Sequence, residues 1–228
     1  MKFYLAGLAL LLTVPVVADD HVDIVKQAFL NISDDFHREW AFTESAMEDG
    51  VAVVGRYDPR LAADARWNLL TVDGRTPTPV EMAEYQDDRE FRFADRHSDG
   101  EMDMVDFDTL ELIVETDDAW FFAFVPDIDN DEDEEAQKFM QEVQGTIKVV
   151  RDGNYLEYLE LRNDKPIRPA FSVKISHFRT RLTFGPAGGN GPIVPLSIDV
   201  ELKGRALLAI KIDEVESVRY GDYEYVGS

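Results

Sequence analysis

Apolar residues recur every three or four positions at the start of the chain and every second position over most of the rest. Val22, Val25, Phe29, Ile32, Phe36 and Trp40 follow the longer spacing, which runs one apolar stripe along a helix over about 21–36. Trp40, Phe42 and Thr43–Met47 then alternate up to a turn at Glu48-Asp49-Gly50. Val51–Tyr57 is rich in β-branched residues, so this region reads as a hairpin. Trp67, Leu69, Leu70 and Val72 form an apolar run suited to a buried strand, and Asp73-Gly74 ends it in a turn. Thr78, Pro79 and Glu81 form a capping box with Pro at the first helical position. They predict a helix over Pro79–Phe91 whose modest stripe (Val80, Met82, Ala83, Tyr85) lies over a core.

Arg92–Asp106 is polar and turn-rich and reads as an exposed loop. Strands dominate beyond it. Thr109–Glu115 alternates, and Ala119–Val125 is apolar on both faces, as a doubly buried strand would be. Glu134–Val143 suits a short helix. Thr146–Arg151 and Tyr155–Arg162 flank the turn Asp152-Gly153-Asn154. Phe171–Phe184 reads as one long strand whose inward phase starts at Phe171 and shifts near His177, the sign of a bulge. A Gly/Pro loop at Gly185–Pro195 precedes further strands at Leu196–Lys203, Ala206–Ile212 and Val218–Tyr225. There is no internal repeat and no interdomain linker. The pattern predicts an α+β protein built on one large curved antiparallel sheet of nine to eleven strands, with helices over its open or concave side.

The N-terminus adds a compartment. Lys2, the apolar run Phe3–Val14, Val16-Val17-Ala18 and then Asp19-Asp20 match a secretory signal peptide cut after Ala18. The expected organisation is a signal peptide at 1–18 and a single domain at 19–228, exported to the periplasm or secreted, with no membrane-spanning segment after cleavage. The chain has no Cys, so disulfides, thiolate metal sites and Cys nucleophiles are excluded. Its formal charge of −23 excludes nucleic-acid binding and disfavours anionic membranes.

Candidate chemistry is sparse. Asp127–Glu135 begins like a calcium loop, but Glu132 stands where Gly is needed and Lys138 where the bidentate Glu is needed. His21, His37, His97 and His177 show no metal-ligand spacing. His97 lies beside Asp95 and Asp99, without a nucleophile-elbow Ser. The expectation is a non-enzymatic protein with no cofactor and no metal. Lys174, Arg179 and Arg181 fall in a stretch, Lys165–Ile198, that contains no Asp or Glu. They mark either cross-strand pairing with acids such as Asp199 and Glu201 or an anion-facing partner edge. The aromatic load, 11% of the chain, leaves two readings open. The rings fill the core, or the sheet curves round an apolar cavity lined by Trp67, Leu69, Trp120, Phe122, Phe124, Phe171 and Phe178.

The order of these elements, from signal peptide through amphipathic helix, first strands and inserted capped helix to a strand series ending Tyr220-Gly-Asp-Tyr-Glu-Tyr225, resembles the LolA-like periplasmic proteins. These include lipoprotein carriers and relatives that bind lipid or sense envelope stress. Arg66–Thr78 (Arg-Trp-Asn-Leu-Leu-Thr-Val-Asp-Gly-Arg-Thr-Pro-Thr) also looks like a segment of exported bacterial proteins. The resemblance implies an unclosed β-barrel with Pro79–Phe91 as its lid, holding an acyl chain, lipid or lipoprotein. It matches no family residue to a numbered position, so it assigns no functional residue. The acidic run and the total charge depart from the family. The second reading is a non-enzymatic interaction module of the cell envelope, with a filled core and a protein partner.

Overall fold

Ten strands pair in a single antiparallel sheet: β1 (Trp40–Glu48), β2 (Val51–Tyr57), β3 (Trp67–Val72), β4 (Val105–Glu115), β5 (Ala119–Pro126), β6 (Val143–Val150), β7 (Tyr155–Asn163), β8 (Val173–Pro186), β9 (Ile193–Ala206) and β10 (Ile210–Tyr225). This is a computed structural model, and it describes residues 18–33, 36–48, 50–94, 102–127, 134–207 and 210–227. The strand order is β3-β2-β1-β10-β9-β8-β7-β6-β5-β4. Each strand lies beside its neighbour in sequence except at one break, between β3 and β4. The first and last strands meet instead, with Trp40 opposite Tyr225 and Met47 opposite Ser217. The curved sheet therefore stops short of closing into a barrel, with β3 and β4 as its free edges. Four helices accompany it among the described residues: α1 (Ala18–Leu30), α2 (Phe36–Glu39), α3 (Pro79–Ala94) and α4 (Glu134–Met140).

Two helices cover two halves of one face. α1 packs across β4 and β7 and seals an alkyl and aromatic core of Val25, Phe29, Phe122, Phe124, Ile147, Leu156 and Leu159. α3 packs on β3, over a smaller core of Phe42, Tyr57, Trp67, Leu69, Val72 and Tyr85. The capping box expected at Thr78 is present. The Glu81 backbone N–H donates to Thr78 Oγ1 at 3.3 Å, and the Thr78 N–H donates to Glu81 Oε2 at 2.7 Å. The Asp73-Gly74 turn puts both residues at positive φ, 48° and 73°, the geometry an Asp-Gly hairpin turn requires.

Several expectations need correction. The first helix ends at Leu30, not near 36, because the chain leaves it to reach β9. Ile32 bridges to Ile193, and the Ser33 N–H donates to the Ile193 carbonyl at 2.8 Å. The segment expected as a loop from Arg92 is helical to Ala94, and the strand after it begins at Val105. β5 is not buried on both sides. Phe122 and Phe124 point into the core, while Trp120 and Phe121 are half-buried under Arg151 and Lys148, whose cations lie 4.6 and 5.7 Å from the ring centroids. Residues 187–192, shorter than the expected loop, join β8 to β9. The two expected C-terminal strands belong in part to one, the sixteen-residue β10. The bulge near His177 is present, as a register shift between Ile175 and His177.

Candidate functional site

Among the described residues, a hollow with an apolar floor lies between α3 and the β1–β3 edge of the sheet. Its apolar floor is Val51, Val53, Leu69, Val72 and the Tyr85 ring. Its rim is Glu48, Glu81, Glu84, Asp88 and Arg89, and its volume is about 340 Å³. The helix reaches the sheet here because β2 carries Gly55. A Cβ at that position would stand 2.0 Å from the Tyr85 hydroxyl, so only Gly leaves room for the ring.

A buried ionic cluster anchors the helix above this floor. Arg89 is 3% exposed and Glu44, on β1, is 2% exposed. Arg89 Nε donates to Glu44 Oε1 at 2.6 Å, Nη2 to Glu48 Oε1 at 2.6 Å and Nη1 to Asp88 Oδ2 at 2.5 Å. The Tyr85 hydroxyl donates to Glu44 Oε1 at 3.2 Å, and the guanidinium lies 4.9 Å from the Tyr85 ring centroid. One cation thus serves three carboxylates. Burial pushes the Glu44 carboxyl above its ordinary range, and Arg89 offsets only part of that rise. Burial also raises the Tyr85 phenol, with the Glu44 charge adding to the shift, so it stays protonated. At the mouth, the Arg75 guanidinium and the Thr78 cap hold Glu81 down to about 2.

The residues expected to line one cavity do not come together. Trp67 and Leu69 belong to the core under α3. Phe122 and Phe124, with the half-buried Trp120 and Phe178, belong to the core under α1. Phe171 lies before β8 in a turn and is fully exposed, so it lines nothing. Within the smaller core the rings fill one another's space. Phe42 lies 5.1 Å from Tyr57, 5.7 Å from Trp67 and Tyr220, and 5.5 Å from Tyr223, centroid to centroid.

The expected anion-facing edge divides in two. Arg179 and Arg181 are turned to the chain's own carboxylates. Arg179 Nη2 lies 2.8 Å from Glu160, which is 7% exposed, and Arg181 lies 3.4 Å from the same group and stacks over Tyr158 at 3.8 Å. Arg179 also pairs with Glu201 at 3.5 Å. Lys174 sits elsewhere, on an exposed part of β8 beyond the register with β7. Glu44, Arg89 and Glu160 carry the charge chemistry of the interior, and nothing in the sequence singled them out. The one available signal was position, since Glu44 falls on the inward phase of β1 with Phe42 and Ala46. His97 and most of the acidic run lie outside the described residues. Among the described residues no cluster of three or more His, Asp or Glu is arranged to hold a metal, and no helix is long and apolar enough to cross a membrane. No family model, curated protein or solved structure matches the chain.

Proposed function

We propose that the protein is a non-enzymatic binding protein of the exported space, and that its ligand site is the open cleft between α3 and β2–β3. The observation that carries this reading is the cleft itself: a hollow of about 340 Å³ with an apolar floor, formed where the helix crosses the free edge of the sheet. That volume falls at the small end of ligand pockets. A Coulomb argument narrows the ligand. An acyl carboxylate or a lipid phosphate would meet Glu48, Glu81, Glu84 and Asp88, while an apolar body with a cationic or neutral head fits the rim. Complete burial of the larger core's side chains and the ring stack around Phe42 in the smaller one support a binding protein with a filled interior over a carrier with an enclosed acyl cavity.

The test is uptake of a matched pair of twelve-carbon amphiphiles, an alkylamine and the fatty acid, followed by native mass spectrometry and Trp fluorescence. The alkylamine should bind at least about tenfold more tightly, the effect of roughly 1.4 kcal/mol from the acidic rim. Val51→Trp, which fills the cleft from an exposed position on its floor, should abolish uptake without unfolding the chain. Equal affinity for both ligands, or uptake unaltered in Val51→Trp, would remove the proposal.

A further inference from the structure

β8, β9 and β10 outrun their neighbours at one end of the sheet. β8 pairs with β7 only over Arg179–Thr183, and β10 pairs with β1 only from Ser217 onward. Val173–Phe178, Leu202–Ala206 and Ile210–Glu216 therefore project as a three-stranded arm. One face of the arm is apolar and partly covered. Ile175 is buried against Ile167, Phe178 packs edge-on against Phe139 of α4 at 4.9 Å, and Leu202 and Ile212 join the larger core.

Within the arm the other face carries four cations, Lys174, Lys203, Arg205 and Lys211, against one acid, Asp213, which stands opposite Lys203. Lys174 stands opposite Arg205, and Arg205 stands opposite Lys211, so three cations form one row across three adjacent strands. Lys203 lies on the same side of β9, two residues from Arg205. Lys203, Arg205 and Lys211 line an open hollow of about 490 Å³ with Ser176 and Asp213. Asp213 is bonded to Lys211. Among the described residues no carboxylate lies within ion-pair distance of Lys174, Lys203 or Arg205. Like charges placed directly opposite in a sheet destabilise it. Here they do so in a chain of formal charge −23, where acids to neutralise them are abundant.

The tip of the arm is apolar as well as exposed. Phe171 is 106% exposed, Leu207 66% and Ile210 55%. They sit together, because the Leu207 N–H donates to the Ser172 carbonyl at 2.7 Å, and Val173 and Ile210 both stand opposite Ala206. Bare large apolar side chains beside a row of basic residues form the pattern of interfacial membrane anchors. The apolar groups enter the headgroup boundary and the cations meet anionic lipid.

We propose that this arm docks the protein on an anionic lipid surface, with Phe171, Leu207 and Ile210 inserted and the Lys174–Arg205–Lys211 row on the headgroups. The acidic remainder of the molecule is held away from the same surface by its charge, which fixes the orientation.

Co-sedimentation of the full chain with vesicles tests this, using equimolar phosphatidylglycerol and phosphatidylcholine against phosphatidylcholine alone, at about 50 mM and about 500 mM salt. The same chain is used throughout, so any contribution of the apolar N-terminus cancels between variants. Binding should require the anionic lipid and weaken in high salt. Lys174→Gln/Arg205→Gln/Lys211→Gln should weaken it about 100-fold, at about fivefold per cation. Phe171→Ser/Leu207→Ser, in exposed positions that do not support the fold, should weaken it at least about tenfold with an unchanged circular dichroism spectrum. Equal binding to neutral vesicles, or triple and double variants that bind as the parent does, overturns the proposal. Capture of a polyglutamate peptide without vesicle binding overturns it too and assigns the arm to an acidic protein partner.

Discussion

The two halves of the covered face solve the same packing problem with different chemistry. Under α1, side chains such as Val25, Phe122, Ile147, Val149, Leu156 and Leu159 meet with no exposed area at all. Under α3 the core is a small stack of rings closed by a buried cation and the carboxylates around it. An alkyl core draws its stability from area removed from water, which pH does not touch. A buried ion pair repays its desolvation only while both partners remain and their hydrogen bonds are satisfied. The first half is therefore the robust platform, and the second is the half whose attachment depends on charge. The candidate cleft opens in the second half, where a ligand that alters the rim charges also alters what holds the helix down.

The largest effect that would break this contrast comes from the alkyl core. Phe122→Ala should cost about 3–5 kcal/mol by denaturant unfolding, with the same loss at pH 5 and pH 8. A pH-dependent loss would mean that the two halves are not separate in kind. Arg89→Met should cost about 3 kcal/mol at neutral pH, the low end for a broken buried pair because Glu48 and Asp88 reach solvent. The sign of its pH dependence follows from Glu44, whose folded pKa is raised. Such a group favours the fold below its unfolded pKa and loses that contribution as pH rises through the folded value. Stability of Arg89→Met should thus recover as pH falls, and adding Glu44→Leu should return most of the loss at pH 7. A double variant as unstable as the single one would show that Arg89 acts by packing and not by charge. The smallest effect lies at the cleft mouth. Glu81 is depressed from the ordinary 4.5 to about 2, so its contribution is complete above 4.5 and is lost as pH falls toward 2. Glu81→Gln should lower stability by a constant amount above pH 4.5 and remove the slope of the acid-unfolding profile between 4.5 and 2, so that the two chains converge at the acid end.

The sheet was legible because its alternation is regular and its turns carry strong chemistry. Asp73-Gly74, Gly153-Asn154 and the Thr78 capping box all stand where expected. Boundaries failed where tertiary contacts overrode local pattern. Ile32 keeps the helical stripe going but is drawn off by Ile193, and the acids of Asp213–Glu216 hide the continuity of β10 because that stretch of strand has no partner beyond β9 among the described residues. The cavity lining was misjudged for a different reason. Period identifies which residues face inward but not which inward residues share a core, and here the order β1-β10 separates Trp67 from Phe122. The basic arm was half legible. The acid-free stretch announced Lys174, Arg179 and Arg181 together, but strand register alone decides that two of them meet Glu160 and the third meets Arg205.

The pairing of first strand with last has a kinetic consequence. Arg56 donates to Glu224 across 168 residues of chain, and Phe42 is enclosed by Tyr220 and Tyr223 from the final strand. Closing a loop of that size costs on the order of 5 kcal/mol before any contact compensates. High contact order of this kind makes folding slow. A chain emerging N-terminus first thus carries an unfinished β1–β3 hairpin, with its rings bare, until residue 225 has cleared the exit. Loss of residues 219–228 would strip this half of its cover, because Tyr220 and Tyr223 enclose Phe42, while leaving the α1 half intact.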